Sequence, residues 1–138
     1  MSTTATAFDP QTLEGLLTDG GKVLTAADDL AAYGCDWTRI YDPAPLAVVL
    51  PKSTEEVQAI VRYANEQRMA LVPSGGRTGL SAGAVAANGE LVVAMDRMNR
   101  ILDFNASDRL VQCEAGVVTE QLQQYAEEQG LYYPVDFA

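Results

Sequence analysis

Apolar and polar positions alternate along this chain in two rhythms. Leu46 to Leu50 (LAVVL) is an unbroken, β-branched run closed by Pro51, the pattern of a strand buried on both faces. Ser53-Thr54-Glu55-Glu56 then fits a capping box, with Ser53 as the cap and Glu56 at the third helical position. Val57, Ile60, Val61 and Ala64 recur at helical spacing. Met69 to Val72 is a second apolar run, ended by Pro73. Strand, helix and strand in this order predict two parallel strands. Leu91 to Met95 is a third strand. Ile101 to Phe104 and Leu110 to Cys113 are two more, joined by the turn Asn105-Ala106-Ser107-Asp108. Thr119 to Gln129 is a second amphipathic helix, with Leu122, Tyr125 and Ala126 on one face and Gly130 as its stop. Leu131 to Tyr133 begins a further strand.

The first third of the chain is less regular. Met1 to Phe8 reads as a loose tail. Asp9 suits an N-cap, with Pro10 at the first helical position. Leu13, Leu16 and Leu17 make one stripe, and Gly20 and Gly21 end that helix. Thr25 to Ala32 is a second short helix, ended by Gly34. Cys35 to Pro45 is polar, aromatic and proline-bearing, an irregular arm. A faint repeat links YANEQRMALVP (Tyr63 to Pro73) with YAEEQGLYYP (Tyr125 to Pro134). It is read as the shared chemistry of helix-to-strand units. The chain stops at Ala138 without a polar tail or a helix stop, so a cut end is expected there.

Composition narrows the function. With 138 residues, 48% of them hydrophobic and 20% charged, the chain suits one soluble domain with a modest core. Its net charge of −10 comes with no basic cluster, which argues against nucleic acid or an anionic membrane as partner. No histidine is present. That removes the commonest metal ligand and any Ser-His-Asp or Cys-His nucleophile from this chain alone. Cys35 and Cys113 follow no metal spacing and are expected as free, partly buried thiols of a cytoplasmic protein. The N-terminus has no signal-peptide pattern, and the apolar runs are too short to span a bilayer.

The stretch VPSGGRTGLSAG, Val72 to Gly83, holds four glycines and three hydroxyl residues in twelve positions. A Walker A loop needs a lysine, and none follows Lys52. A Rossmann fingerprint needs a helix after its glycines, and a strand comes next here. Successive main-chain N–H groups in a glycine-rich turn can still form a nest for an anion. Ser74, Thr78 and Ser81 add hydroxyl groups, and Arg77 adds a cation. The competing reading is a surface hairpin of small residues. The position at the end of a parallel strand, where α/β sheets place ligands, favours the anion site.

The block AVVLPKSTEEVQAIVRYANEQRMALVPSGGRTGLSAGAV resembles the opening of the FAD-binding domain of vanillyl-alcohol-oxidase (PCMH) type flavoproteins. The similarity is strongest to the D-lactate and D-2-hydroxyglutarate dehydrogenase branch. CDWTRIY before it and VVAMDRMNRILDFNASDRLVQCEAGVV after it resemble the same branch. The resemblance implies an α+β fold: the N-terminal part of such a domain, a small parallel sheet flanked by helices. Residues 1–41 would form a helical arm and 42–138 an incomplete domain. It implies that Pro73, Ser74, Gly75, Gly76, Arg77, Thr78, Gly79, Leu80, Ser81, Gly83 and Ala84 wrap the FAD pyrophosphate. Some members bond FAD covalently through a loop histidine. Arg77 and Thr78 stand in that region here, so FAD is expected to be non-covalent.

The activity implied for the parent protein is FAD-dependent dehydrogenation of a D-2-hydroxy acid. Its substrate residues are expected elsewhere, and no catalytic residue or metal ligand is assigned in this chain. The competing classes are a stand-alone nucleotide- or partner-binding module and an FAD-dependent oxidase of another alcohol. The fragment is expected to expose apolar surface and to self-associate. Asp36, Trp37 and Arg39 are expected as an arm packed by its tryptophan, with Arg39 paired to a carboxylate. Arg97 and Arg100 read as solvated turn charges, Glu114 as an unpaired carboxylate, and Tyr132 and Tyr133 as core.

Overall fold

A computed structural model describes residues 8–18 and 20–136. Two layers of helix enclose a four-stranded sheet, and a separate hairpin follows. The sheet contains β1 (Lys22–Leu24), β2 (Ala47–Leu50), β3 (Leu71–Ser74) and β4 (Leu91–Ala94), in the order β1-β2-β4-β3. Strands β2, β3 and β4 are parallel, and β1 runs antiparallel on the edge of β2. Every residue of β2 and β4 is buried, which is why both read as unbroken apolar runs.

Alternate residues serve opposite faces. On one face Ala47, Val49, Leu91 and Val93 pack with Ile60 of α3 (Thr54–Gln67) and Leu13 of α1 (Pro10–Glu14). On the other, Val48, Leu50, Val92 and Ala94 pack with Ala86 from the glycine loop and with Leu30 and Tyr33 of α2 (Ala27–Tyr33). The loop therefore lies on the same side of the sheet as α2. Pro73 sits in β3 opposite Val93. Because β3 is an edge strand, the missing proline N–H breaks no ladder.

The hairpin β5 (Ile101–Asn105) and β6 (Leu110–Cys113) is antiparallel, with a bulge between Ile101 and Asp103. The Asn105 side chain accepts from the amides of Ser107 and Asp108, both at 3.0 Å, and this local acceptor makes the turn. Helix α4 (Thr119–Glu128) packs on the hairpin through Phe104 and Tyr125, whose rings meet edge to face at 6.0 Å.

The capping box forms with one change of partner. Ser53 Oγ accepts from the Glu56 amide at 3.2 Å, as expected, while the buried Glu56 carboxylate accepts from the Lys52 amide at 2.7 Å. The internal repeat is a shared helix stop. Arg68 and Gly130 hold the same left-handed place, at φ +56° and +70°. The next amides, Met69 and Leu131, each donate back to an alanine carbonyl, Ala64 and Ala126, at 2.8 and 2.9 Å.

Several expectations need correction. Helix α1 stops at Glu14, with Gly15 as its cap, well before Gly20. Strand β1 was not read from the sequence. Strand β3 starts at Leu71 and continues through Pro73 to Ser74. Leu131 to Tyr133 forms no strand, because no neighbouring strand edge pairs with it among the described residues. Phe8 packs against the core rather than trailing free, and the tail at 1–7 lies outside the described residues. Both cysteines are free, and Cys113 is exposed rather than partly buried. No helix among the described residues is long and apolar enough to cross a membrane.

Candidate functional site

Parallel strands deliver their C-terminal ends to one side of a sheet. Here the glycine loop leaves the end of β3 and a 3-10 turn, Met95–Arg97, leaves the end of β4. The two exits are tied together by Arg77 and Asp96. Arg77 Nη2 donates to Asp96 Oδ1 at 3.0 Å, and Nη1 donates to Asp96 Oδ2 at 3.3 Å, Gly75 O at 2.8 Å and Ser74 Oγ at 3.2 Å. The same guanidinium lies over the Tyr33 ring, 4.5 Å from its centroid, a favourable cation–aromatic arrangement. Burial, then the nearby Asp96 charge, pushes the Tyr33 hydroxyl above its usual range. Arg77 is thus not a free cation. It folds back on its own loop.

Beyond Arg77 the loop opens. A cavity of about 470 Å³ runs between Gly75, Gly76 and Thr78 on one wall and Ala115 to Glu120 on the other. At Gly75, Gly79 and Gly83 a Cβ would meet nothing within 4 Å, and at Gly76 only the Thr78 methyl at 3.9 Å. These glycines leave the main chain open on its outer side. The opposite wall is the entry to α4. Its cap, Val118, offers no side-chain acceptor to the first turn, although Gln121 Oε1 accepts from the Val118 amide at 3.3 Å. Gly116 is needed for another reason. A Cβ there would collide with the Met95 carbonyl, so only glycine lets this wall approach the end of β4.

Of the eleven residues expected at a pyrophosphate, Gly75, Gly76, Arg77 and Thr78 line this cavity. Ser74 is buried beneath it and accepts from Arg77. Pro73 faces out from the sheet edge. Gly79, Leu80, Ser81, Gly83 and Ala84 lie further along the loop and do not line the cavity, with Leu80 70% exposed. Asp96, Glu120 and Asp136 also line it. With Arg77 already paired to Asp96, and Glu120 and Asp136 also on the lining, the cavity side chains offer an anion no net positive charge.

The remaining candidates changed their roles. Trp37 is 70% exposed and does not pack the arm, and Arg39 makes no ion pair among the described residues. Asp36 is instead the buried member of that group. Glu114 is not unpaired. Arg100 Nη2 donates to it at 2.7 Å, and this bond holds the Glu114 carboxyl below its usual range. Tyr132 is exposed rather than core. Sequence reasoning missed Asp96 and Gly116. A carboxylate just after a buried strand, and a glycine three residues before the start of an amphipathic helix, were the available signals.

Comparison with known proteins gives the chain its family. A family described as "FAD binding domain" matches residues 45–138. D-2-hydroxyglutarate dehydrogenase of Stutzerimonas stutzeri is 65% identical over 132 residues, covering 94% of this chain and 28% of that protein. D-lactate dehydrogenase of Anaerostipes hadrus is 39% identical over 109 residues, covering 79% of this chain and 22% of that protein. The chain thus spans about a quarter of these relatives. Among solved structures, p-cresol methylhydroxylase with substrate bound superposes with a TM-score of 0.76 at 26% identity, over 94% of this chain and 26% of that one.

Proposed function

The chain belongs to the FAD binding domain family, and from that premise we propose that its glycine loop holds the FAD pyrophosphate, in a protein that dehydrogenates a D-2-hydroxy acid. One observation carries the reading: the open main chain of Gly75 and Gly76, with Thr78 on the same wall, lines a cavity at the ends of two parallel strands. A diphosphate can approach bare backbone there and accept from its amides. The first turn of α4, across the cavity, offers further amides of the same polarity.

FAD, when bound, supplies the hydride acceptor of the reaction. The residues of this chain bind and orient; none is assigned to proton transfer. The absence of histidine supports a non-covalent flavin. The substrate class rests on the 65% identity with a protein named D-2-hydroxyglutarate dehydrogenase. Free thiols in a chain with two cysteines support the cytoplasm. The boundary proposed between an N-terminal segment and the domain over 42–138 lies at residue 41, although α1 and β1 ahead of it join the core and the sheet of that domain. Exposed Trp37, Ile40 and Tyr132 support self-association of the isolated chain, which light scattering across a concentration series would reveal.

The test is a fluorescence titration of FAD into the chain and into the longer polypeptide that carries it, with FMN as control. Saturable FAD binding is expected in the longer protein, weakened at least about tenfold by Gly76→Val, because the added side chain fits the fold but covers the main chain. Equal affinity in the variant would sink the loop assignment. Flavin bleaching by D- but not L-2-hydroxyglutarate would support the substrate class.

A further inference from the structure

The arm ahead of the matched domain grips the glycine loop at three points. The Tyr33 ring carries the Arg77 guanidinium. The Gly34 carbonyl accepts from the Ala86 amide at 2.9 Å. The Asp36 carboxylate, on a residue only 3% exposed, accepts from the Ala82 amide at 3.0 Å. Its other oxygen is occupied by the Thr38 hydroxyl at 2.6 Å and the Thr38 amide at 3.0 Å. The Thr38 hydroxyl bond, then the Ala82 and Thr38 amides, hold this carboxyl below its usual range against the opposing effect of burial.

Two of the three grips fall on special residues. Arg77 and Ala82 have φ of +58° and +60°, a left-handed conformation that a residue with a Cβ enters only at a cost. They are the non-glycine residues of this loop that do so. Such positions persist where the surroundings over-determine them. The groups that do so here come from the arm, together with Asp96. The arm is itself fixed. A Cβ at Gly34 would lie 2.8 Å from both Pro43 and Pro45, so the chain cannot lift from its seat without losing that contact.

We infer that Tyr33 to Asp36 is a clamp that sets the shape of the glycine loop, with Asp36 as a positioning residue for the anion site. Asp36 touches no ligand in this scheme. It acts through the Ala82 amide, and the clamp lies wholly before residue 45, where the family match begins. The link to FAD rests on the function proposed above; the link to loop shape does not.

Amide hydrogen exchange, followed residue by residue in the 138-residue chain, tests the clamp without a ligand. Asp36→Ala should speed exchange at least about tenfold at Ala82, whose amide donates to that carboxylate, the loss of a charged hydrogen bond. The amides of Val48 and Val92 in the sheet should change little. Asp36→Asn, which keeps an acceptor, should fall between. Should Asp36→Ala unfold the chain, Tyr33→Leu decides instead: it keeps apolar packing, removes the ring face, and should speed exchange of the Ala82 and Ala86 amides that the same segment holds.

FAD titration of the longer protein gives the second readout. Asp36→Ala should weaken FAD, and adding Ala82→Gly should recover part of the loss, since glycine needs no clamp to be left-handed. Faster exchange with no FAD binding by the unmodified protein would retain the clamp and refute the proposed function. FAD binding with loop exchange unchanged in both Asp36→Asn and Tyr33→Leu would overturn the clamp.

Discussion

Every residue of β2 and β4 is buried, whereas β5 and β6 contribute no buried residue and neither does α4. The hairpin strands still carry Ile101, Leu102, Phe104, Leu110 and Val111, so apolar side chains are present in both regions. The difference is the number of covered faces. Helices α1 and α3 close one side of the parallel sheet, and α2 with the glycine loop closes the other. The hairpin has α4 against it and little else. A groove of about 620 Å³ stays open there, lined by Phe104, Val111, Leu122, Tyr125, Leu131 and Tyr133. The cavity proposed for the diphosphate has one wall on each region. Its glycine wall is anchored in the stable sheet. Its other wall belongs to the region with fewer buried contacts, which should open at lower free energy.

The same side chain in the two regions puts this contrast under test. Leu91→Ala in β4 should cost about 2–5 kcal/mol, the range for a fully buried leucine. Leu110→Ala in β6, where the leucine is 64% exposed, should stay within about 0.5 kcal/mol. Urea unfolding of both variants gives the comparison, and equal losses would break it. Gly116→Ala should rank next, at about 1–3 kcal/mol for forced overpacking, because its Cβ meets the Met95 carbonyl. Hydrogen exchange should place that loss in α4 rather than in β2; a loss centred on the sheet would show that the two regions unfold together.

The smallest effect concerns pH. The folded state holds the Glu114 carboxyl below its ordinary value of 4.5, so the unfolded chain binds the proton more tightly. The stabilisation is therefore complete above 4.5 and is lost as pH falls through the lower folded value. Melting temperature followed below pH 5 should show a slope that Arg100→Gln flattens. The pair joins the start of β5 to the end of β6, so an unchanged slope would mean that it does not hold the hairpin.

What the sequence revealed was mostly local. The Ser53 cap, the apolar stripe of α3 and the buried runs of β2 and β4 depend on residues within a turn or two, and the chain carries those signals openly. The glycine loop was also legible, because four glycines in one stretch imply bare backbone whatever surrounds them. Strand β1 was hidden because three residues, Lys22 to Leu24, gain their structure only by pairing with β2. The site's partners were hidden for the same reason. Arg77 meets Asp96 across 19 positions, and Asp36 meets Ala82 across 46. Nothing near Arg77 in sequence says that its charge is already taken. Trp37 was misjudged because a large aromatic residue usually packs, and here it stays in solvent.

The pairing of Arg77 with Asp96 reaches beyond the shape of the loop. A mobile arginine that meets a phosphate exchanges one set of counterions for another, and its contribution fades as ionic strength rises. In this loop the charge is settled before any ligand arrives. A diphosphate seated on Gly75 and Gly76 would be held by oriented peptide dipoles at short range, which dissolved salt screens poorly. Dissolved salt would instead screen the Glu120 and Asp136 carboxylates that line the same cavity, so the loop would hold its ligand at least as well in a concentrated electrolyte as in dilute buffer.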